Sequence, residues 1–221
     1  AVDYNPFSAF GLKFMYGHAF RQPGIFELYS EFRGNPDLTP QQIKTGEFEF
    51  HSLLLNDKIS LKLNTFYSHI NKLIGKVEDM TMPAGERYEN IDHKKVAGFS
   101  VFLNLQVFNN LRFWSNYGYL TGINNSTFNF FPVENTAKNK INAGINFKIL
   151  NNKITTDLKM NYVGKRKANN ANKWFNTYMN GYGPAYKKFN LVTSYKLTNM
   201  LNIQVFIDNL LDEKYYGMGR E

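Results

Sequence analysis

Three segments group side chains that could hold a ligand. GKRKANNANKWFNTYMNGYG, residues 164–183, sets Arg166 among Trp174, Tyr178 and Tyr182. EDMTMPAGERYEN, residues 78–90, offers Met80, Met82, Arg87 and Tyr88, and NNSTFNFFPVEN, residues 124–135, offers Phe128, Phe130 and Phe131. Guanidinium groups beside aromatic faces suit planar, anionic molecules of the catecholate or haem kind. Long loops also carry aromatic residues that only pack on one another. The four histidines, His18, His51, His69 and His93, contain no i, i+2 or i, i+4 pair, so no local metal motif is expected. Cysteine is absent, which removes disulfides and thiolate metal sites. Asp92 and His93 adjoin, but neighbours point to opposite faces and no nucleophile motif accompanies them. The chemistry expected is capture without catalysis: no enzyme, no metal site and no covalently bound cofactor.

These segments must be positioned by strands. In KILNNKITTDLKMNYVG, residues 148–164, Ile154, Thr156, Leu158, Met160 and Tyr162 share one face, while Lys153, Thr155, Asp157, Lys159 and Asn161 share the other. About nine such strands follow one another: around residues 12–16, 42–55, 59–67, 99–107, 111–119, 141–149, 154–162, 189–197 and 201–207. Helical periods do not compete, so the chain reads as an all-β antiparallel meander. Tight turns at 55–57, 109–110, 151–152 and 198–199 alternate with long connections at 21–41, 70–88, 121–136 and 164–185. Alternation places every long loop at one end, as in outer-membrane barrels with short periplasmic turns and long extracellular loops.

Depth supports a lipid-facing apolar side. Ile59 to Tyr67, Leu111 to Tyr119 and Ile154 to Tyr162 each span 8 residues (67−59, 119−111, 162−154). At about 3.3 Å per residue and a tilt of about 40°, the rise is roughly 20 Å, close to the apolar band of such barrels. Tyr16, Tyr67, Tyr117, Tyr119, Tyr162 and Phe189 are expected to form an aromatic girdle. The other face, with Lys62, Asn64, Asn104, Asn116, Asn142, Asn146, Asn161, Asn190 and Gln204, would line a wet lumen.

The 221 residues are 43% hydrophobic and 16% aromatic, enough for one large all-β domain. The formal charge is +8, but Lys and Arg are scattered, which argues for solvated loops and for anionic lipid head groups or an anionic ligand over nucleic acid. No run approaches 18 apolar residues, so no transmembrane helix is expected. The start, AVDYNPFSAF, has no signal-peptide pattern and reads like the interior of a longer protein.

FRQPGIFELYSEFRGNPDLTPQ, residues 20–41, resembles a mid-barrel segment of TonB-dependent outer-membrane receptors, the superfamily of siderophore, haem and cobalamin receptors. The matching residues are Phe20, Arg21 and Pro23; Glu27, Leu28 and Tyr29; and Gly34, Asn35, Pro36, Leu38 and Pro40. Gln41 stands where the family usually has Glu. YENIDHKKVAGF supplies Asn90, Ile91 and Gly98, and VFIDNLLDEKYY supplies Asn209, Leu210, Asp212, Lys214 and Tyr215, in the family's order. Pro and Gly in the first segment favour a loop-shaping role over direct binding.

The resemblance implies a 22-stranded barrel with an N-terminal plug, of which this chain would be the C-terminal part without plug or final strand. It implies residence in the outer membrane of a Gram-negative bacterium and uptake of a scarce nutrient, an iron-siderophore or haem first among the candidates. The implied partners are outer-membrane lipid and lipopolysaccharide, the receptor's own plug, the TonB complex and a small-molecule ligand. A passive porin or structural barrel, and a soluble β-sandwich binding module, remain as alternatives.

Overall fold

The computed structural model describes residues 1–7, 9–91, 93–123, 130–169 and 172–217, with Phe130 and Phe131 described in backbone only. Its elements are β1 (Val2–Phe7), β2 (Phe10–Arg21), α1 (Ile25–Tyr29), β3 (Gln41–Leu54), β4 (Ile59–Asn71), β5 (Leu73–Glu78), β6 (Glu86–Ile91), β7 (Lys94–Phe108), β8 (Leu111–Ile123) and β9 (Phe130–Phe131). Then come β10 (Asn139–Ile149), β11 (Ile154–Val163), β12 (Arg166–Lys167), α2 (Lys173–Tyr178), β13 (Tyr182–Gly183), β14 (Tyr186–Lys196) and β15 (Asn202–Ile207).

Ten strands pair antiparallel in the order β1-β2-β3-β4-β7-β8-β10-β11-β14-β15, with β9 attached to β8. The expected nine are all present; β1 is the addition. Its Pro6 lacks the N–H that a ladder uses, yet Pro is tolerated on a sheet edge, and a register shift falls between Tyr4 and Phe7. Residues 70–88 also change character: β4 continues to Asn71, and β5 and β6 form a hairpin of their own. The turns at 55–57 and 150–152 are alike. Leu55, Asn56, Asp57 and Leu150, Asn151, Asn152 all have φ between 51° and 66°. Asn and Asp tolerate this left-handed backbone better than most residues, which explains their choice at two of the three positions in each turn.

The register answers which face is which. Phe14 pairs with Phe48, Phe48 with Thr65, Thr65 with Phe99 and Phe99 with Tyr119. Farther along, Ile145 pairs with Leu158, Leu158 with Leu191 and Leu191 with Ile207. One face is therefore apolar across the whole sheet. The opposite face is hydrogen-bonded: Asn161 to Asn142 at 2.6 Å, Asn146 to Asp157 at 2.9 Å, Lys62 to Glu49 at 3.0 Å.

No second layer covers the apolar face among the described residues. The buried apolar side chains, Leu38, Ala137, Ala168 and Phe175, all lie in the long connections, whereas Phe14, Tyr16, Ile145 and Val205 stay exposed on the sheet. A soluble sandwich would bury one face of each sheet against another. This sheet has no such partner, and the surface it presents is one for lipid.

Candidate functional site

Three of the long connections, 21–41, 70–88 and 164–185, fold into two units at one end of the sheet. In the first, residues 22–40 dock on the β5–β6 hairpin. Arg21 holds Glu27 through two hydrogen bonds of 3.0 Å and also donates to Gln41 at 3.0 Å. Glu27 accepts from the Gly24 backbone N–H at 2.7 Å, closing the first turn of α1. These bonds, those from Arg21 foremost, hold the Glu27 carboxyl below its ordinary range. Gly34 packs so tightly that a Cβ there would meet Ser30 backbone atoms at 2.6 Å.

Asn35 then donates to the Tyr88 carbonyl at 2.9 Å, and the Tyr88 N–H donates to the Arg33 carbonyl at 2.9 Å. Asn90 accepts from the Thr39 N–H at 2.8 Å and donates to the carbonyls of Thr39 and Lys72 at 2.9 Å. Arg33 and Lys76 both reach Glu86, at 2.8 and 2.7 Å, and lower its pKa, the Lys76 hydrogen bond contributing most. Two segments fifty residues apart, each a motif in the sequence, are thus sewn to each other.

The second unit is residues 164–185. Asn172 caps α2, its side chain accepting from the Phe175 N–H at 3.2 Å. Phe175 is buried, and Trp174 sits 4.9 Å from it, 6.0 Å from Tyr178 and 5.3 Å from Tyr216 between ring centroids. Tyr186 stacks on Tyr215 at 4.7 Å. Arg166 is buried beneath: it donates to the Tyr216 carbonyl at 2.8 Å, and its guanidinium lies 5.4 Å from the Tyr186 ring.

Several residues singled out as ligand-facing thus have structural contacts. Arg166 ties the second unit together from inside. Arg87 pairs with Asp79 at 3.3 Å and with Glu89. Tyr88 meets Phe26 edge-on at 6.4 Å. Met80 and Tyr178 stand open at 85% and 70% exposure, and Tyr182 is exposed as well. Phe128 and the side chains of Phe130 and Phe131 lie outside the described residues.

The motif residues Pro23, Leu28, Tyr29, Pro36, Leu38 and Pro40 line the first unit, with Leu38 buried. Asn209 shapes the segment after β15: its side chain donates to the Glu213 carbonyl and accepts from the Glu213 N–H, both at 3.0 Å. Its backbone N–H donates to the Asn190 side chain at 3.0 Å, that of Leu210 to Phe189, and that of Asp212 to Asn209. Sequence reading missed Tyr216 as a partner of Trp174 and the stacking of Tyr186 on Tyr215. The only signal was the aromatic pair in EKYY, read as a motif ending.

The residues expected in the girdle, Tyr16, Tyr67, Tyr117, Tyr119, Tyr162 and Phe189, all sit on the apolar face. Tyr16 shares a row with Gly46, Tyr67, Ala97 and Thr121. Tyr119 lies 2 residues from that row, Tyr162 in the row of Tyr117, 4 from it, and Phe189 in the row of Met160, 6 from it (121−119, 121−117, and 4 plus 162−160). The drift runs in one direction. His69 and His93, distant in sequence, bring their rings to 5.4 Å. Among the described residues no three His, Asp or Glu side chains cluster to hold a metal.

Residues 1–210 match the family model described as "TonB dependent receptor-like, beta-barrel". The chain belongs to that family. Its members are outer-membrane transport proteins and not enzymes, so this TonB-dependent receptor barrel segment resides in the outer membrane. It is 28% identical to the vitamin B12 transporter BtuB of Vibrio cholerae serotype O1, over 97% of this chain and 33% of the relative. Among solved structures it resembles the pyoverdine receptor FpvA of Pseudomonas aeruginosa PAO1 (TM-score 0.75, 16% identity, 99% of this chain and 32% of that one). It also resembles the copper transporter OprC (TM-score 0.72, 16% identity, 96% and 34%). The receptor segment therefore spans about a third of the length of the curated relatives it matches.

Proposed function

We propose that this chain is the C-terminal part of the barrel of a receptor that takes up a scarce metal complex, of the iron-siderophore or haem kind, with energy delivered through TonB. The observation that carries the reading is the gathering of both folded loop units at one end of a lipid-facing sheet. Open aromatic and thioether side chains of those units, Tyr178, Tyr182 and Met80, would meet the ligand first. Arg166 and Arg87 would hold the loops in shape behind them. The receptor's plug domain, the TonB complex and lipopolysaccharide would be its other partners, and Tyr16, Tyr67, Tyr117, Tyr119, Tyr162 and Phe189 its outer girdle. The steady register drift of these residues suits this: on strands tilted by about 40°, a ring at constant depth crosses successive ladder rows.

Cobalamin is the second reading, favoured by the sequence likeness to a vitamin B12 transporter. The test is equilibrium binding of a ferric catecholate, haemin and cyanocobalamin to the intact receptor, followed by uptake in cells with and without TonB. Saturable binding of one ligand, weakened by Tyr178→Ala and followed by TonB-dependent uptake, is expected. An open, voltage-independent conductance with no saturable ligand would instead identify a porin.

A further inference from the structure

Above the row of Tyr16, Gly46, Tyr67 and Ala97, the next row of the same apolar face reads His18, Lys44, His69 and Lys95. Four adjacent strands each place a cationic or protonatable side chain in one ladder row, toward the long-loop end. His93 joins them, its ring against that of His69. The carboxylates of these strands, Glu47 and Glu49, point to the other face, and Glu49 pairs there with Lys62 at 3.0 Å. Directly beneath the cationic row the apolar face has a notch. A Cβ at Gly46 would meet nothing within 4 Å, and the groove there, about 530 Å³, is lined by Phe14, Tyr16, Phe48, Thr65 and Tyr67.

Cations above a greasy slot, on a face that lipid covers, match one kind of molecule. Lysine stems lie along apolar surface while their ammonium groups seek polar or anionic partners at the interface. We propose that this row and notch seat one phosphorylated lipid of the outer leaflet, its phosphate on Lys44 and Lys95 with the histidines beside it, and an acyl chain crossing Gly46 between Tyr16 and Tyr67. The proposal rests on the outer-membrane placement of the sheet and is independent of which nutrient the receptor takes up. Charge complementarity selects an anionic head group, and the notch selects a lipid over a free anion.

The test is native mass spectrometry of the whole receptor in a neutral detergent, titrated with bisphosphorylated lipid A and with its dephosphorylated form. The expected result is retention of the bisphosphorylated probe at least tenfold better than the other. Lys44→Ala with Lys95→Ala should remove that preference while leaving the dephosphorylated probe unaffected, and Gly46→Leu should weaken both. Heat-modifiable migration confirms that each variant is folded, and the single Lys44→Gln variant, about threefold weaker, serves if the double variant does not fold. Equal retention of the two probes by the native protein, equal retention of the bisphosphorylated probe by the lysine variants, or its displacement by equimolar inorganic phosphate would overturn the proposal. Uptake of a metal complex by lysine variants that no longer retain lipid would leave the transport reading intact, so the two can fail separately.

Discussion

The sheet and the loop units solve burial in opposite ways. Across the ten strands, Phe, Leu, Ile and Tyr stand on one face with no protein layer against them among the described residues, while the buried apolar side chains described lie in the connections. Loops normally run over a surface and are poorly packed. Here each loop unit meets water on its outside and must build its own small core, whereas the sheet leaves that task to lipid. The location of burial, inverted from that of a soluble protein, is what marks the solvent.

The largest effect expected is in the loops. Phe175→Ala removes a large buried ring of the second unit, which costs about 3–5 kcal/mol when a well-packed Phe is deleted. Hydrogen exchange on the intact receptor should show residues 172–183 losing protection while β10 and β11 keep theirs. Equal loss in the strands would mean that the loops and sheet share one core and would break the comparison.

Next in size is a charge placed on the sheet. Leu63 lies midway between Ile59 and Tyr67 on the apolar face, and an Arg at the bilayer midplane costs about 2–4 kcal/mol. Leu63→Arg should lower the urea midpoint of the receptor in vesicles, while Asn64→Arg, one residue away on the wet face, should leave it near the original value. Equal effects of the two would deny that lipid covers the first face.

Strand phase made this sheet legible in sequence, because a period of two assigns each residue its face before any partner is known. The loops were legible only as motifs. Arg21, Glu27, Asn35 and Asn90 stood out by type, yet nothing local said that Asn90 would bond Thr39 or that Asn35 would find Tyr88, contacts 51 and 53 residues apart in the chain. Arg166 shows the same limit: its position among aromatic residues was readable, but burial beneath Tyr186 and Tyr216 depends on a segment fifty residues later. Strand β1 escaped because Pro6 cannot donate to a ladder and so weakens a strand pattern, although a sheet edge tolerates it.

Asn90→Ala tests that hidden stitching. It removes the hydrogen bonds to Thr39 and Lys72 from a partly solvated site, where each contributes about 0.5–1.5 kcal/mol net. Limited proteolysis should cut within residues 30–40 several-fold faster, with the Leu63→Arg phenotype absent. An unchanged rate would mean that the Asn35–Tyr88 and Arg33–Glu86 contacts hold the first unit without it.

The smallest effect is titration of the same unit. Arg21 and the Gly24 N–H hold Glu27 ionised below its ordinary pKa. A depressed carboxylate contributes its full stability above the unfolded value, about 4.3, and loses it as pH falls through the lower native value. Protection of residues 24–30 should therefore be flat from pH 7 to about 5 and decline below about 4. Glu86 and Asp79 of the neighbouring hairpin are lowered as well, by hydrogen bonds from Lys76 and Thr81 first, and titrate in the same direction. The informative quantity is thus the difference between the native receptor and Glu27→Gln. That variant should have weaker protection at pH 7 and a shallower acid decline, and parallel curves would place the acid sensitivity in the hairpin rather than in the Arg21 clasp.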